Sequence, residues 1–153
     1  MKAFSLFLPL IAQSAVSLVD EFYCHYRRPV PRWERLGHPA DTLSLLACVI
    51  FALFMAPTSA NVMVFGALAI FSCVIITKDE WVHQQYCSGF ELWLHSILFV
   101  LHPLVCLSLG LVWIRFPEMK NVLYVEAALL ILYTVYQFFY WNVFRRDETN
   151  AGH

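Results

Sequence analysis

The chain has 153 residues, of which 60% are hydrophobic and only 14% charged, with a mean hydropathy of +0.63 and a formal net charge of −1. That balance lies outside the range of soluble globular domains and places the chain among integral membrane proteins. No segment shows a sustained basic surface, which argues against a nucleic-acid partner.

The first apolar run, Ala3 to Val19, leads straight into Asp20 and Glu21 and reads as a span over about 3–25. Lys2 and the small residues between Ala12 and Ala15 would also suit a cleaved secretion signal, but the run passes directly into a polar motif that recurs later, so it is taken as a span. Residues 28–40 contain Pro29, Pro31, Gly37 and Pro39. Pro31 is expected to start a short interfacial helix that Gly37 and Pro39 stop, with Asp41 or Thr42 capping the next span.

A second span is expected over 42–57, a third over 62–84 after a tight hairpin, a fourth over 90–114 and a fifth over 121–144. The fold class is therefore all-α: a single transmembrane domain over 1–153, with five transmembrane spans. Trp33, Trp81 and Trp93 suit the headgroup level. The aromatics near the end of the fifth span, Tyr133, Tyr136, Phe138, Phe139, Tyr140 and Trp141, suit lipid contact and an interfacial belt, a substrate groove or a dimer contact. Arg27, Arg28, Arg32, Arg35, Lys78, Arg145 and Arg146 fall on one side and Lys2, Arg115 and Lys120 on the other. The positive-inside rule then sets the N-terminus outside a plasma or inner membrane, with the loops between spans one and two and between spans three and four cytoplasmic together with the C-terminus.

Four histidines follow a glutamate by three or four residues: Glu21 with His25, Glu34 with His38, Glu80 with His83, and Glu91 with His95. Chance would place a glutamate at one of those offsets before a given histidine roughly one time in ten, and on a helix both offsets share one face. The pairs also recur in order, Asp20-Glu21-Phe22 matching Asp79-Glu80-Trp81, and Trp33-Glu34 matching Phe90-Glu91. They suggest an internal repeat over about 3–57 and 62–114, spans one and two and spans three and four forming a pseudo-repeat four-helix bundle. Antiparallel connectivity brings all eight residues to one membrane face. Solvated anchors or salt bridges would explain any single pair; four converging pairs point to metal or proton chemistry.

Asp20 and Asp79 are expected about 100° from their neighbouring glutamates, as acceptors supporting the ligands. His102, on the face of His95, is expected to be a satisfied histidine, another ligand, a proton relay or a substrate contact. Glu126 is expected to reach outward. Cys48, Cys73 and Cys106 read as small apolar filler, and Cys24 and Cys87 as reduced bystanders or thiolate ligands.

Mixed carboxylate and imidazole ligands suit iron, manganese or zinc, and eight groups suffice for two metal ions. Glu80-x-x-His83 resembles the ligand motif of the ferritin-like di-iron carboxylate proteins, though this resemblance covers one motif and the other pairs have the longer offset. With two irons, the expected activity is oxygen-dependent oxidation of a hydrophobic substrate drawn from membrane lipid, supported by an electron-donor protein. The alternatives are a zinc-dependent lipid hydrolase and a non-catalytic metal- or haem-binding membrane protein.

Overall fold

The computed structural model describes residues 3–78 and 80–145, without the side chains of residues 3, 4, 81 and 82. Lys2, Asp79, the Trp81 side chain and Arg146, to which roles were assigned above, therefore lie outside the described residues. Those that are described form helices joined by short connections, with no strand among them.

A helical turn over Ala3–Phe7 leads into α1 (Leu8–Val19), a π-helical turn (Asp20–Cys24) and a closing 3-10 turn (His25–Arg27). Then follow α2 (Arg32–Phe54), α3 (Ser59–Ile75), α4 (Glu80–Tyr86) and α5 (Gly89–Arg115). A 3-10 turn (Pro117–Met119) starts α6 (Lys120–Phe139), which ends in a second π-helical turn, Tyr140–Phe144. Among the described residues, four helical stretches, Ser5–Arg27, Arg32–Phe54, Gly89–Arg115 and Pro117–Phe144, are long and apolar enough to cross a membrane; Ser59–Ile75 is also apolar but shorter. Their outward faces carry large exposed apolar side chains such as Leu8, Phe54, Met63, Ile70, Val100 and Leu132, as lipid-facing helices do.

The second span departs from its expected boundaries. Helix α2 runs unbroken from Arg32, through Gly37 and Pro39, to Phe54, so neither residue ends a short interfacial helix, and Asp41 and Thr42 lie inside the helix rather than capping it. Proline lacks the N–H that would bond the carbonyl four residues back, here that of Arg35. The Asn142 side-chain amide donates to that carbonyl instead, at 3.2 Å. The third expected span is likewise divided. Helix α3 stops at Ile75, and after a turn at Ile76–Lys78 the chain resumes as α4. Lys78 in that turn pairs with Asp41 of α2, with Nζ 2.7 and 2.8 Å from the two carboxylate oxygens.

Helix α2 packs most extensively on α6 and also meets α3 and α5, while α1 packs on α5. The apolar core joins Leu45, Val49, Leu53, Phe65, Val105 and Leu109. At Gly110 of α5 a Cβ would come within 3.0 Å of the Phe65 ring, so the missing side chain sets how closely α3 approaches α5. Helices α1 and α6 barely touch; their extensions meet only at one end, where Phe22 and Tyr26 contact Tyr136.

Candidate metal centre

The π-helical turn sets the first half of the centre. The His25 N–H bonds back to the Asp20 carbonyl, five residues away, so one wide turn separates them. His25 thereby faces both acidic residues, with Nε2 3.5 Å from Asp20 Oδ2 and Nδ1 3.6 Å from Glu21 Oε2. Asp20 also reaches across to α5, where His95 Nε2 lies 3.3 Å from its Oδ2. The Glu21 carboxylate accepts a hydrogen bond from the buried Trp141 indole, beyond the end of α6.

The continuity of α2 places Glu34 and His38 on one face, with His38 Nε2 3.4 Å from Glu34 Oε1. The same oxygen lies 3.2 Å from His25 Nε2 and 3.4 Å from His83 Nε2, so three helical segments aim an imidazole at Glu34. The ring centroids of His25 and His38 are 4.7 Å apart, and those of His83 and His95 are 4.2 Å apart. Ser88 caps α5 by accepting the Glu91 N–H at 3.2 Å. Glu91 holds the position from which a capping-box glutamate would turn back to the cap, yet its carboxylate goes to Arg28.

All four Glu/His pairs meet at one end of the helices, with different depths of involvement. Glu21, His25, Glu34, His83, Glu91 and His95 are buried and His38 is half-buried, whereas Glu80 stays at the rim with Oε2 4.0 Å from His83 Nδ1. Asp20 is as buried as Glu21 and as close to the imidazoles, a consequence of the π-helical turn that ordinary helical spacing does not foretell.

Arg28 was counted above only as a marker of orientation, but its guanidinium forks between two acidic residues. Nε donates to Glu91 Oε1 at 3.0 Å, Nη2 to the same oxygen at 2.7 Å, and Nη1 to Glu34 Oε2 at 2.9 Å; Nη2 also donates to Glu34 Oε1. Burial works against that charge, but the hydrogen bonds to Glu34 and Glu91 outweigh it and raise the Arg28 pKa. Arg28 Nη2 also lies 3.3 Å from Cys87 Sγ. Burial pushes the Cys87 thiol up; Arg28 opposes this, but Glu91 and Glu34 add to it, leaving a neutral thiol.

Four overlapping groups among the described residues have ligand atoms within 4.8 Å of one another: Asp20, His25, Glu91 and His95; His25, Glu34 and His38; His83, Cys87 and His95; and Glu34, Cys87 and Glu91. Despite the crowding, both ring nitrogens of His25 and of His83, Nδ1 of His95 and Oδ1 of Asp20 are buried without a hydrogen bond. Buried polar atoms are seldom left so, and this set consists of metal-ligating atoms.

A cavity of about 360 Å³ adjoins the cluster. Asp20, Glu21, His38, His83 and His95 line its polar end; Leu10, Leu98, Phe99, Leu129 and Leu130 line its apolar length, between α1, α2, α5 and α6. Glu126, expected to reach outward, is half-buried and is among the residues lining it. Tyr133 and Gln137 of α6 also line the wall, and Thr42 donates to Gln137 Oε1 at 3.0 Å. The α6 aromatics are thus divided between an exposed belt, including Phe138 and Phe139, and the inward-facing Tyr133 and Trp141. Comparisons of the chain with known protein families, curated proteins and solved structures find no match.

Proposed function

We propose that the chain is a metal-dependent membrane oxidoreductase with two iron ions in this cluster, acting on a hydrophobic substrate held in the adjoining cavity. The observation that carries the reading is the set of buried, unsatisfied imidazole nitrogens of His25, His83 and His95, gathered among carboxylates beside an apolar space. Asp20, Glu91 and His95 would hold one ion and Glu34, His38 and His83 the other, with His25 between the two groups. Zinc and manganese suit the same donors. Haem is disfavoured, because imidazoles packed 4.2 and 4.7 Å apart leave no room for a porphyrin between them.

Bound iron would supply oxygen activation. The protein's own part is to orient and exclude. Trp141 holds one Glu21 oxygen, Arg28 holds Glu34 and Glu91, and the cavity wall keeps a hydrocarbon against the imidazole edge while limiting water. Glu80, at the rim, is free to bind in a second step or to shuttle protons.

In this reading α3 is a fifth, shorter span, its crossing completed by the turn before α4. The centre then faces the cytoplasm, where a donor protein could deliver electrons. The pairing of α1 with α5 and of α3 with α2 is the pattern that a two-fold relation between the two halves would give, and it supports the internal repeat.

The test is elemental analysis and a visible spectrum of detergent-purified wild type and of His83→Ala. Close to two irons in wild type, with loss in the variant, are expected. One zinc without iron would favour the hydrolase, and no specific metal in either protein would make the cluster a structural ion-pair network.

A further inference from the structure

Apart from the imidazole cluster, a second set of metal-ligating side chains gathers in the interior of the spans. Cys73 of α3 and His102 and Cys106 of α5 each bring one ligand atom within 4.8 Å of the other two. Cys106 follows His102 by four residues, so one helical face presents both. The Cys106 thiol also neighbours that of Cys48 on α2, whose Sγ donates to the Ser44 carbonyl at 3.5 Å. Cys48, His102 and Cys106 are buried, Cys73 is half-buried, and all three thiols are free. Apolar filler explains cysteines singly, but it gives no reason for three of the chain's five to converge from three helices beside a histidine. Cys106 lies three helical turns beyond His95, about 16 Å along α5, so this group is separate from the cluster above.

The spacing suits one ion. Metal–sulfur bonds of about 2.3 Å and metal–nitrogen bonds of about 2.0 Å hold tetrahedral donors about 3.5–3.8 Å apart, so closing the set asks each side chain to move by about 1 Å or less. Whichever ring nitrogen of His102 ligates, the other keeps a partner: Ser72 Oγ lies 2.8 Å from Nε2, and the Gln13 amide 3.3 Å from Nδ1. Such a hydrogen bond fixes the ring of a metal-bound histidine. His102 also lines the cavity, which gives an ion its way in. Sulfur donors without a carboxylate select soft, thiophilic ions, and in surroundings this apolar a net charge is costly. A divalent ion with two thiolates and a neutral imidazole carries none, whereas copper(I) with the same donors would leave a negative charge.

We propose that Cys73, Cys106 and His102 bind one zinc ion, which fastens α3 to α5. The ion takes the place of the two thiol protons, which leave as hydrogen ions, and nothing is oxidised or reduced. Cys48 keeps its proton, which the Ser44 carbonyl accepts. Helix α3, shorter than the four membrane-length helices, thereby gains an anchor beyond apolar packing.

The experiment measures zinc and iron by elemental analysis in the full chain, purified in detergent from cells supplied with zinc, for wild type, Cys73→Ala, Cys106→Ala and His83→Ala. Each protein is also loaded with cobalt(II), a coloured stand-in for zinc, whose sulfur-to-metal charge-transfer band reports thiolate ligands. Wild type is expected to hold one zinc in this site and to show the band with cobalt. Both cysteine variants should lose that zinc and the band while keeping the metal of the imidazole cluster, and His83→Ala should keep the zinc and the band. Wild type without zinc, a cobalt spectrum lacking the band, or zinc and band that survive in the cysteine variants would overturn the proposal. Should the cysteine variants not fold, the band in wild type and its persistence in His83→Ala decide in their place. Zinc lost from His83→Ala but not from the cysteine variants belongs to the imidazole cluster and overturns this proposal. Zinc lost only with the cysteines, in protein that holds no iron, would remove the di-iron reading and leave this one standing.

Discussion

Arg28 supplies a positive charge between Glu34 and Glu91, two carboxylates that are 0% and 2% exposed, and it does so in a fork that a lysine cannot reproduce. Replacing it with methionine leaves two buried charges without that partner, and removing one member of such a pair costs about 3–5 kcal/mol. Arg28→Met is therefore expected to lower the unfolding temperature of chelator-treated protein, and added iron should restore much of the loss. Equal destabilisation with and without metal would show that Arg28 and the metal do not share these carboxylates. None of this is legible locally, since Arg28 meets Glu91 from 63 positions away. The Glu/His offsets are legible because one helical turn is a local rule. Asp20 escapes that rule through a π-helical turn, and Trp141 reaches Glu21 from the other end of the chain.

At the scale of the element, α2 shows how a distant side chain can overrule a helix-breaking residue. Pro39 and Gly37 argue for a stop, and they would be right for an isolated peptide. Asn142 supplies the missing donor, so its value depends on Pro39. Asn142→Leu is expected to cost about 1–3 kcal/mol in the wild-type background, the cost of stranding a buried carbonyl, and clearly less together with Pro39→Ala, whose restored N–H bonds Arg35 itself. A double-mutant cycle on thermal unfolding reads this coupling, and additive effects would refute it. The continuous α2 also brings His38 onto the face of Glu34, so a bond made by α6's extension helps to build the centre. The all-helical class and the apolar character of the long elements followed from composition. The break between α3 and α4 did not, since Ile76-Thr77-Lys78 contains neither proline nor glycine to mark a stop.

For the molecule as a whole, the separation between α1 and α6 has a kinetic consequence. The cavity lies between α1 and α6, which pack little on each other, and in the proposed membrane placement its mouth would face hydrocarbon rather than water. A ligand arriving there diffuses in two dimensions and is counted against lipid molecules, not against litres of buffer. If the proposed activity holds, it should accordingly obey surface dilution: at fixed amounts of protein and substrate, doubling the inert phospholipid roughly halves a sub-saturating rate, while doubling the aqueous volume leaves it unchanged. Turnover assays in vesicles of varied lipid content distinguish the two, and dependence on volume alone would mean that substrate enters from the aqueous side. The relevant affinity is then a mole fraction, and it would shift whenever the cell alters how much bilayer it makes.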